Sequence, residues 1–144
     1  MRSGIRKSGK RSKFEESVGH QLDMAGVGYT YETYSYEYDV GIAKNKSFCA
    51  DCGSTNLLRT AYYTPDFFLE NGIIIEAKGR FTAANRRLIL AVREEHEELG
   101  KNLVMLFMRD NKIHKNSKTH YSDWCMENDV PFAIGEVKPE WINR

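Results

Sequence analysis

The amino-acid sequence predicts an α/β fold, and three observations carry that expectation. Tyr62 to Gly79 reads as a β-hairpin, two apolar and partly β-branched runs around Glu70-Asn71-Gly72. Ser12 to Ala25 and Ala83 to Leu99 each repeat apolar residues at helical spacing. Asn102 to Met108 is a strongly apolar run, as a central strand packed on both faces requires.

The N-terminus comes first. Residues 1–13 hold six Lys or Arg and no acid, so the rest of the chain carries 15 basic against 20 acidic side chains, a net −5. With so little apolar content, this stretch is expected to be a flexible arm that cannot fold alone. Beside phosphates it would gain by counterion release. In the first helix, Phe14, Val18, Leu22 and Ala25 form one apolar stripe. Ser12 is its candidate N-cap, with Glu15 at the capping-box position and Gly26 to end it.

Tyr29 to Val40 reads as one long strand with five tyrosines. Its alternation changes phase between Tyr31 and Tyr34, which calls for a bulge or twist near Thr33. Those rings are expected to pack on a sheet or a dimer interface rather than on bases. Gly41 to Ala61 reads as an insertion containing Cys49-Ala50-Asp51-Cys52-Gly53, which looks like one knuckle of a zinc ribbon. A tetrahedral Zn²⁺ needs four ligands and Cys49 and Cys52 supply two. Cys125 and histidines 20, 96, 114 and 120 are the only other soft ligands. Three readings stand open: a zinc site completed by those residues or by a second knuckle in a dimer, a redox pair, or a turn with free thiols.

In the helix from Ala83 to Leu99, the inward stripe is Leu88, Ala91, Val92 and Leu99, and Gly100 is expected to stop it. Glu94, Glu95, His96, Glu97 and Glu98 fall on the surface side. Arg86 and Arg87 lie in its early turns, close in sequence to Arg80 and the hairpin, and are candidates to hold a nucleic-acid backbone. Lys112, His114, Lys115, Lys118 and His120 form a basic loop without acids after the apolar strand. Tyr121 to Asn128 is a short helix with Trp124 and Cys125 in the core, Val130 to Ile134 is a last strand, and Trp141 and Ile142 dock the tail.

The chain has 144 residues with 41% hydrophobic and 28% charged side chains, which suits a single domain with its own core. The expected division is the basic arm (1–13) and a single folded domain (14–144) with the Cys-x-x-Cys insertion at about 41–61. No apolar run is long enough for a membrane span, and no signal-peptide apolar region follows the basic N-terminus. Three cysteines without a secretion signal favour a reducing, cytoplasmic setting. No nucleotide-binding glycine fingerprint is present.

Chemistry concentrates in the hairpin, where Asp66, Glu76 and Lys78 interrupt runs that should be buried. A buried charge costs several kcal/mol unless it is paired or binds a metal. The turn register decides whether the three can cooperate. A two-residue Asn71-Gly72 loop would send Asp66 and Glu76 to opposite faces. A three-residue Glu70-Asn71-Gly72 loop with Gly72 left-handed pairs Asp66 with Glu76, about 5 Å apart at Cβ, with Lys78 on the same face. The three-residue loop is therefore expected. Two carboxylates can hold Mg²⁺, a hard cation that prefers oxygen, and a lysine can orient water or offset charge on a phosphorane. That set suits phosphodiester hydrolysis.

Pro65-Asp66 with Glu76-Ala77-Lys78 looks like the PD-(D/E)XK nuclease motif. More narrowly, the chain resembles the bacteriophage T7 endonuclease I family of Holliday junction resolvases. The resemblance runs through Gly4-Ile5-Arg6-Lys7, Arg11-Ser12 with Glu15, Gln21-Leu22, Tyr63 to Phe67, Asn71-Gly72-Ile73, Glu76-x-Lys78-Gly79, Tyr121 to Cys125 and Pro139 to Ile142. It implies a restriction-endonuclease-like mixed sheet of about five strands flanked by helices, in a homodimer that exchanges N-terminal segments. It implies that Asp66, Glu76 and the Ala77 backbone carbonyl bind Mg²⁺, with Mn²⁺ as a substitute, and that Lys78 assists the attacking water. Glu15 joins as an additional carboxylate, acting in trans. Some relatives carry a further acid at about Thr30; threonine cannot replace it, and a role for Glu32 is open. The substrate implied is branched DNA, contacted by Arg2, Arg6, Lys7, Lys10, Arg11, Lys13, Arg80, Arg86, Arg87, Lys112, Lys115 and Lys118, in a host cytoplasm if the gene is a phage's. Relatives have a cysteine matching Cys125 but lack the Cys49 knuckle, which argues against Cys125 as a dedicated zinc ligand. Two rivals stand beside this reading. One is a nuclease of the same site chemistry that cuts or nicks linear duplex. The other is a non-catalytic DNA-binding protein that uses the arm and a zinc knuckle.

Overall fold

The computed structural model describes residues 2–3, 12–41 and 58–143. In chain order the elements are β1 (Arg2–Ser3), α1 (Lys13–Met24), β2 (Tyr29–Tyr31), β3 (Tyr34–Gly41), β4 (Leu58–Tyr63), β5 (Phe67–Leu69) and β6 (Ile74–Lys78). They continue with α2 (Ala83–Glu95), α3 (Glu97–Asn102), β7 (Leu103–Phe107), α4 (Tyr121–Glu127), β8 (Phe132–Ile134) and α5 (Pro139–Ile142). The fold is α/β. A five-stranded mixed sheet has the order β2-β5-β6-β7-β8, and a smaller sheet has the order β1-β3-β4.

The register of the central hairpin is the one that the three-residue loop demands. Phe67 pairs with Ile75 and Phe68 with Ile74. The Leu69 carbonyl accepts from Gly72 N–H, and Leu69 N–H donates to the Ile73 carbonyl. Gly72 has φ +94°, a left-handed conformation that side-chain-bearing residues rarely adopt. The Asn71 side chain strengthens the turn by accepting from Ile73 N–H and donating to the Trp141 carbonyl. The docked tail thereby braces the loop.

β6 and β7 run parallel, as do β7 and β8, with helices covering the crossovers. Every residue of β7 is buried, as a strand packed on both faces should be. Its side chains alternate between two cores. Leu103, Met105 and Phe107 join Ile74, Ile89, Val92 and Leu99 on one face; Val104 and Leu106 join Val18, Leu22, Phe67, Ile75 and Trp141 on the other. Full burial of each such side chain contributes about 1.5–3 kcal/mol.

α1 begins where Ser12 caps it, its hydroxyl accepting from Glu15 N–H at 3.1 Å. Ala25 follows as the C-cap and Gly26 has φ +72°. The box is half formed, because the Glu15 side chain accepts from the Tyr31 hydroxyl. Cys125 is fully buried, with the Trp124 ring packed against the same core.

Four sequence expectations need correction. The strand read over Tyr29 to Val40 is two strands in different sheets, broken at Glu32, whose φ is +48°. Glu32 N–H donates to the Asp66 carbonyl at 2.8 Å, so the break is locked by a distant residue. At the ends of the 41–61 stretch, Gly41 belongs to β3, and Leu58 to Ala61 of β4 pair with β3. The helix read over 83–99 divides at His96, and Gly100 lies inside α3 instead of stopping a helix. A Cβ on Gly100 would come within 3.0 Å of the Arg93 carbonyl oxygen, so close packing requires glycine there. The stripe of α2 turns inward through Ile89 as well as Val92, with Leu88 partly buried. His96 is not a bare surface residue: its ring bonds to the Glu37 carbonyl and meets the Tyr36 ring edge-on.

Of the basic arm, Arg2 and Ser3 pair antiparallel with Ser35 and Tyr34, and Lys13 opens α1. Arg6, Lys7, Lys10 and Arg11 lie outside the described residues, as do Cys49 and Cys52. Among the described residues no helix is long and apolar enough to cross a membrane.

Candidate active site

The hairpin brings Asp66, Glu76 and Lys78 to one face at the carboxyl end of β6. Asp66 is 4% exposed and Glu76 2%. Asp66 Oδ2 accepts from Ala77 N–H at 2.9 Å. In an extended strand one residue's N–H and C=O point to the same side, so the Ala77 carbonyl also points toward Asp66, where the β5 ladder has ended. Glu76 Oε2 lies 3.4 Å from Lys78 Nζ, and Glu76 Oε1 is buried without a well-formed hydrogen bond among the described residues.

Electrostatics follow from this crowding. Burial raises the Asp66 pKa first, and the Glu76 and Glu15 carboxylates add to the rise, against the Ala77 N–H. For Lys78, burial disfavours the charge, but Glu76 and Asp66 together outweigh it and the pKa is raised. Lys78 is therefore a cation suited to orienting water and offsetting negative charge, not a proton acceptor. The two buried carboxyl groups share one nearby lysine, 3.4 Å from Glu76, and ionising both is costly without a further cation. Their hard oxygens suit a divalent cation such as Mg²⁺. Among the described residues no three His, Cys, Asp or Glu side chains already close around one point.

Glu15 approaches from the third position of α1. It is half-buried, held by the Tyr31 hydroxyl, and its charge is felt by Asp66. Glu32 is buried beside Tyr31, but what joins it to Asp66 is its backbone N–H. Thr30 pairs with Phe68 in the ladder and is exposed.

The basic candidates divide. Arg80 is exposed just beyond β6, and Arg87 is exposed on α2 beside a groove shared with Arg59. Arg86 is half-buried and donates to the Phe81 carbonyl at 2.7 Å, so part of its guanidinium serves the fold. Lys112, Lys115 and Lys118 are exposed on the loop after β7, which a Lys112–His120 bridge closes. β7 is parallel to β6, and Met108 N–H donates to the Lys78 carbonyl. The loop therefore leaves the same edge of the sheet as the carboxylates, where open α/β sheets bind ligands. Arg2 lies on β1 and Lys13 is exposed on α1.

Sequence reading missed two tyrosines. Tyr31 looked like a packing residue, and its hold on Glu15 appears only when β2 meets α1. Tyr63 pairs with Tyr36 at the end of β4, with its hydroxyl buried beside Glu76. Its place directly before Thr64-Pro65-Asp66 was the available signal.

An acidic pair and a lysine at a strand end, edged by exposed cations, form an arrangement suited to phosphodiester hydrolysis. Comparison with known proteins agrees. The chain matches the family model described as phage endonuclease I over residues 1–144. It is 34% identical over 142 residues to the endonuclease I of Escherichia phage T7, covering 98% of this chain and 84% of that protein. It is 34% identical over 123 residues to endodeoxyribonuclease 1 of Enterobacteria phage T3, covering 85% and 70%. The chain belongs to the phage endonuclease I family.

Proposed function

We propose that this family member, a deoxyribonuclease, is a Mg²⁺-dependent, structure-selective endonuclease that resolves four-way DNA junctions by paired cuts. The observation that carries the reading is the pairing of buried Asp66 and Glu76 on one face of the hairpin with Lys78. Asp66, Glu76 and the Ala77 carbonyl hold the cation, with Mn²⁺ able to substitute, and Glu15 adds a third carboxylate. When bound, the cation polarises the phosphate and lowers the pKa of a water. Lys78 orients the attacking water and offsets charge that grows on the phosphate oxygens. Arg80, Arg87 and the Lys112–Lys118 loop grip the DNA backbone, which reads position and shape rather than base identity.

Two opposed cuts need two sites, and a symmetric homodimer supplies them most simply. In a dimer that exchanges N-terminal segments, α1 docks on the partner's sheet and its Glu15 completes the partner's site. Mixing Glu15→Ala with Asp66→Ala protomers should then restore one intact site per heterodimer. Verified heterodimers without recovered cleavage would sink the exchange.

The function itself is tested with a labelled immobile four-way junction against a linear duplex of the same arm sequence, in Mg²⁺ and in EDTA. Paired Mg²⁺-dependent cuts near the branch, absent with Asp66→Ala, are the expected result. Equal cutting of linear duplex would remove branch selectivity, and tight binding without cleavage would favour a non-catalytic DNA-binding role.

A further inference from the structure

A cavity of about 250 Å³ lies beside the carboxylates, bounded by Tyr63, Thr64, Glu76, Lys78, Asn85 and Ile89. It is large enough for several waters and is lined by polar groups that could hold them. Two of its walls are unsatisfied in complementary ways. Among the described residues the Tyr63 hydroxyl is buried without a well-formed hydrogen bond, and so is Glu76 Oε1, although the two side chains lie close enough to interact. Tyr63 is 4% exposed and Glu76 2%, so bulk water reaches neither freely. One group can donate and the other can only accept while ionised. A buried donor and a buried acceptor are each costly unless they meet, and a small adjustment of either side chain joins these two directly. Thr64 does not compete for that role, because its hydroxyl is paired with Ser35 at 2.7 Å. A phenol ordinarily titrates at about 10, so at neutral pH Tyr63 keeps its proton and is a donor.

We infer that Tyr63 is a positioning residue of the active site: its hydroxyl secures Glu76 Oε1 from the cavity side, aiming the carboxylate at the cation. The inference rests on the cation-binding reading of Asp66 and Glu76 given above. Its consequence is a division of labour at Glu76. Oε2 lies on the Lys78 side, 3.4 Å from the ammonium, while Oε1 is held from behind. With the carboxylate held from behind, Lys78 is not needed to orient Glu76 and can serve the attacking water. Residues that orient a ligand in this way typically change metal affinity or activity 10–100-fold when altered.

The test is Tyr63→Phe, which removes one oxygen and leaves the ring in the core. Binding of Mn²⁺ alone is titrated calorimetrically on wild type, Tyr63→Phe and Asp66→Ala, and thermal midpoints are read without metal on the same samples. The expected result is Mn²⁺ affinity about tenfold weaker in Tyr63→Phe, a metal-free midpoint lowered by no more than one lost hydrogen bond explains, and cleavage that recovers as Mg²⁺ is raised. Unchanged Mn²⁺ affinity in Tyr63→Phe, with affinity lost in Asp66→Ala, would overturn the role of Tyr63 and leave the cation site standing. A metal-free midpoint lowered far beyond the loss of one hydrogen bond would also overturn it, because the hydroxyl would then serve the fold. Wild type and Asp66→Ala binding Mn²⁺ alike would overturn both the inference and the site on which it rests.

Discussion

Asp66→Asn should stabilise this protein when no metal is present. Asp66 and Glu76 are both nearly inaccessible, and burial with the neighbouring carboxylates raises the Asp66 pKa above its ordinary value near 4. The folded state therefore binds a proton that the unfolded state has released at neutral pH. Where the native state holds more protons, stability falls as pH rises. The penalty is absent below about pH 4 and grows at about 1.4 kcal/mol per pH unit toward the folded-state pKa. At pH 7 it reaches at most about 4 kcal/mol, and about 2–4 kcal/mol is the working expectation. Asparagine removes the charge, keeps an oxygen for the Ala77 N–H and offers an amide donor to Glu76. For a chain of this length, about 4 °C per kcal/mol gives a rise of roughly 8–16 °C at pH 7 and little change near pH 4. Magnesium reverses the order: at a hundredfold excess over its Kd it adds about 2.7 kcal/mol to wild type, and Asp66→Asn gains little. Calorimetric melts at pH 4.5 and 7.5, with EDTA and with Mg²⁺, read all four corners. The reasoning is refuted if metal-free Asp66→Asn melts no higher than wild type at pH 7.5, or if the gap is the same at both pH values.

Two other outcomes follow. Gly72→Ala places a side chain at φ +94° in the loop that aligns Asp66 with Glu76. It should cost about 1–2 kcal/mol and reduce cleavage by more than the stability loss explains, read by melts and by single-turnover rates. Replacing Lys112, Lys115 and Lys118 together with alanine should weaken junction binding and flatten its salt dependence, by about one unit of log–log slope for each phosphate no longer neutralised. A salt slope equal to wild type would remove that loop from the DNA interface.

The parts legible in the sequence were those set by neighbours along the chain. Glu70-Asn71-Gly72 specified its own turn, and through it the alignment of Asp66, Glu76 and Lys78. Ser12 capped α1 as its spacing required, and β7 declared its burial by having no polar residue from Leu103 to Phe107. What stayed hidden was set by contacts between distant residues. The strand broke at Glu32 because its backbone joins Asp66, more than thirty residues away. The helix broke at His96 because its ring is drawn to Glu37 and Tyr36 on β3. In the same way, the hold of Tyr31 on Glu15 and the place of Tyr63 behind Glu76 exist only once separate elements meet. Tyrosine spacing along a strand gives no sign of either.

The central claim is that the Asp66–Glu76–Lys78 face cuts DNA. Glu76→Gln tests it most directly, since it alters one buried oxygen and nothing on the surface. The measurement is the single-turnover cleavage rate of a four-way junction at saturating protein and Mg²⁺, with junction affinity determined alongside. The predicted result is affinity close to wild type and a rate lower by more than the 10–100-fold typical of a merely supporting residue. Cleavage within a few-fold of wild type, at unchanged Mg²⁺ dependence, would contradict the claim and place the chemistry elsewhere on the molecule.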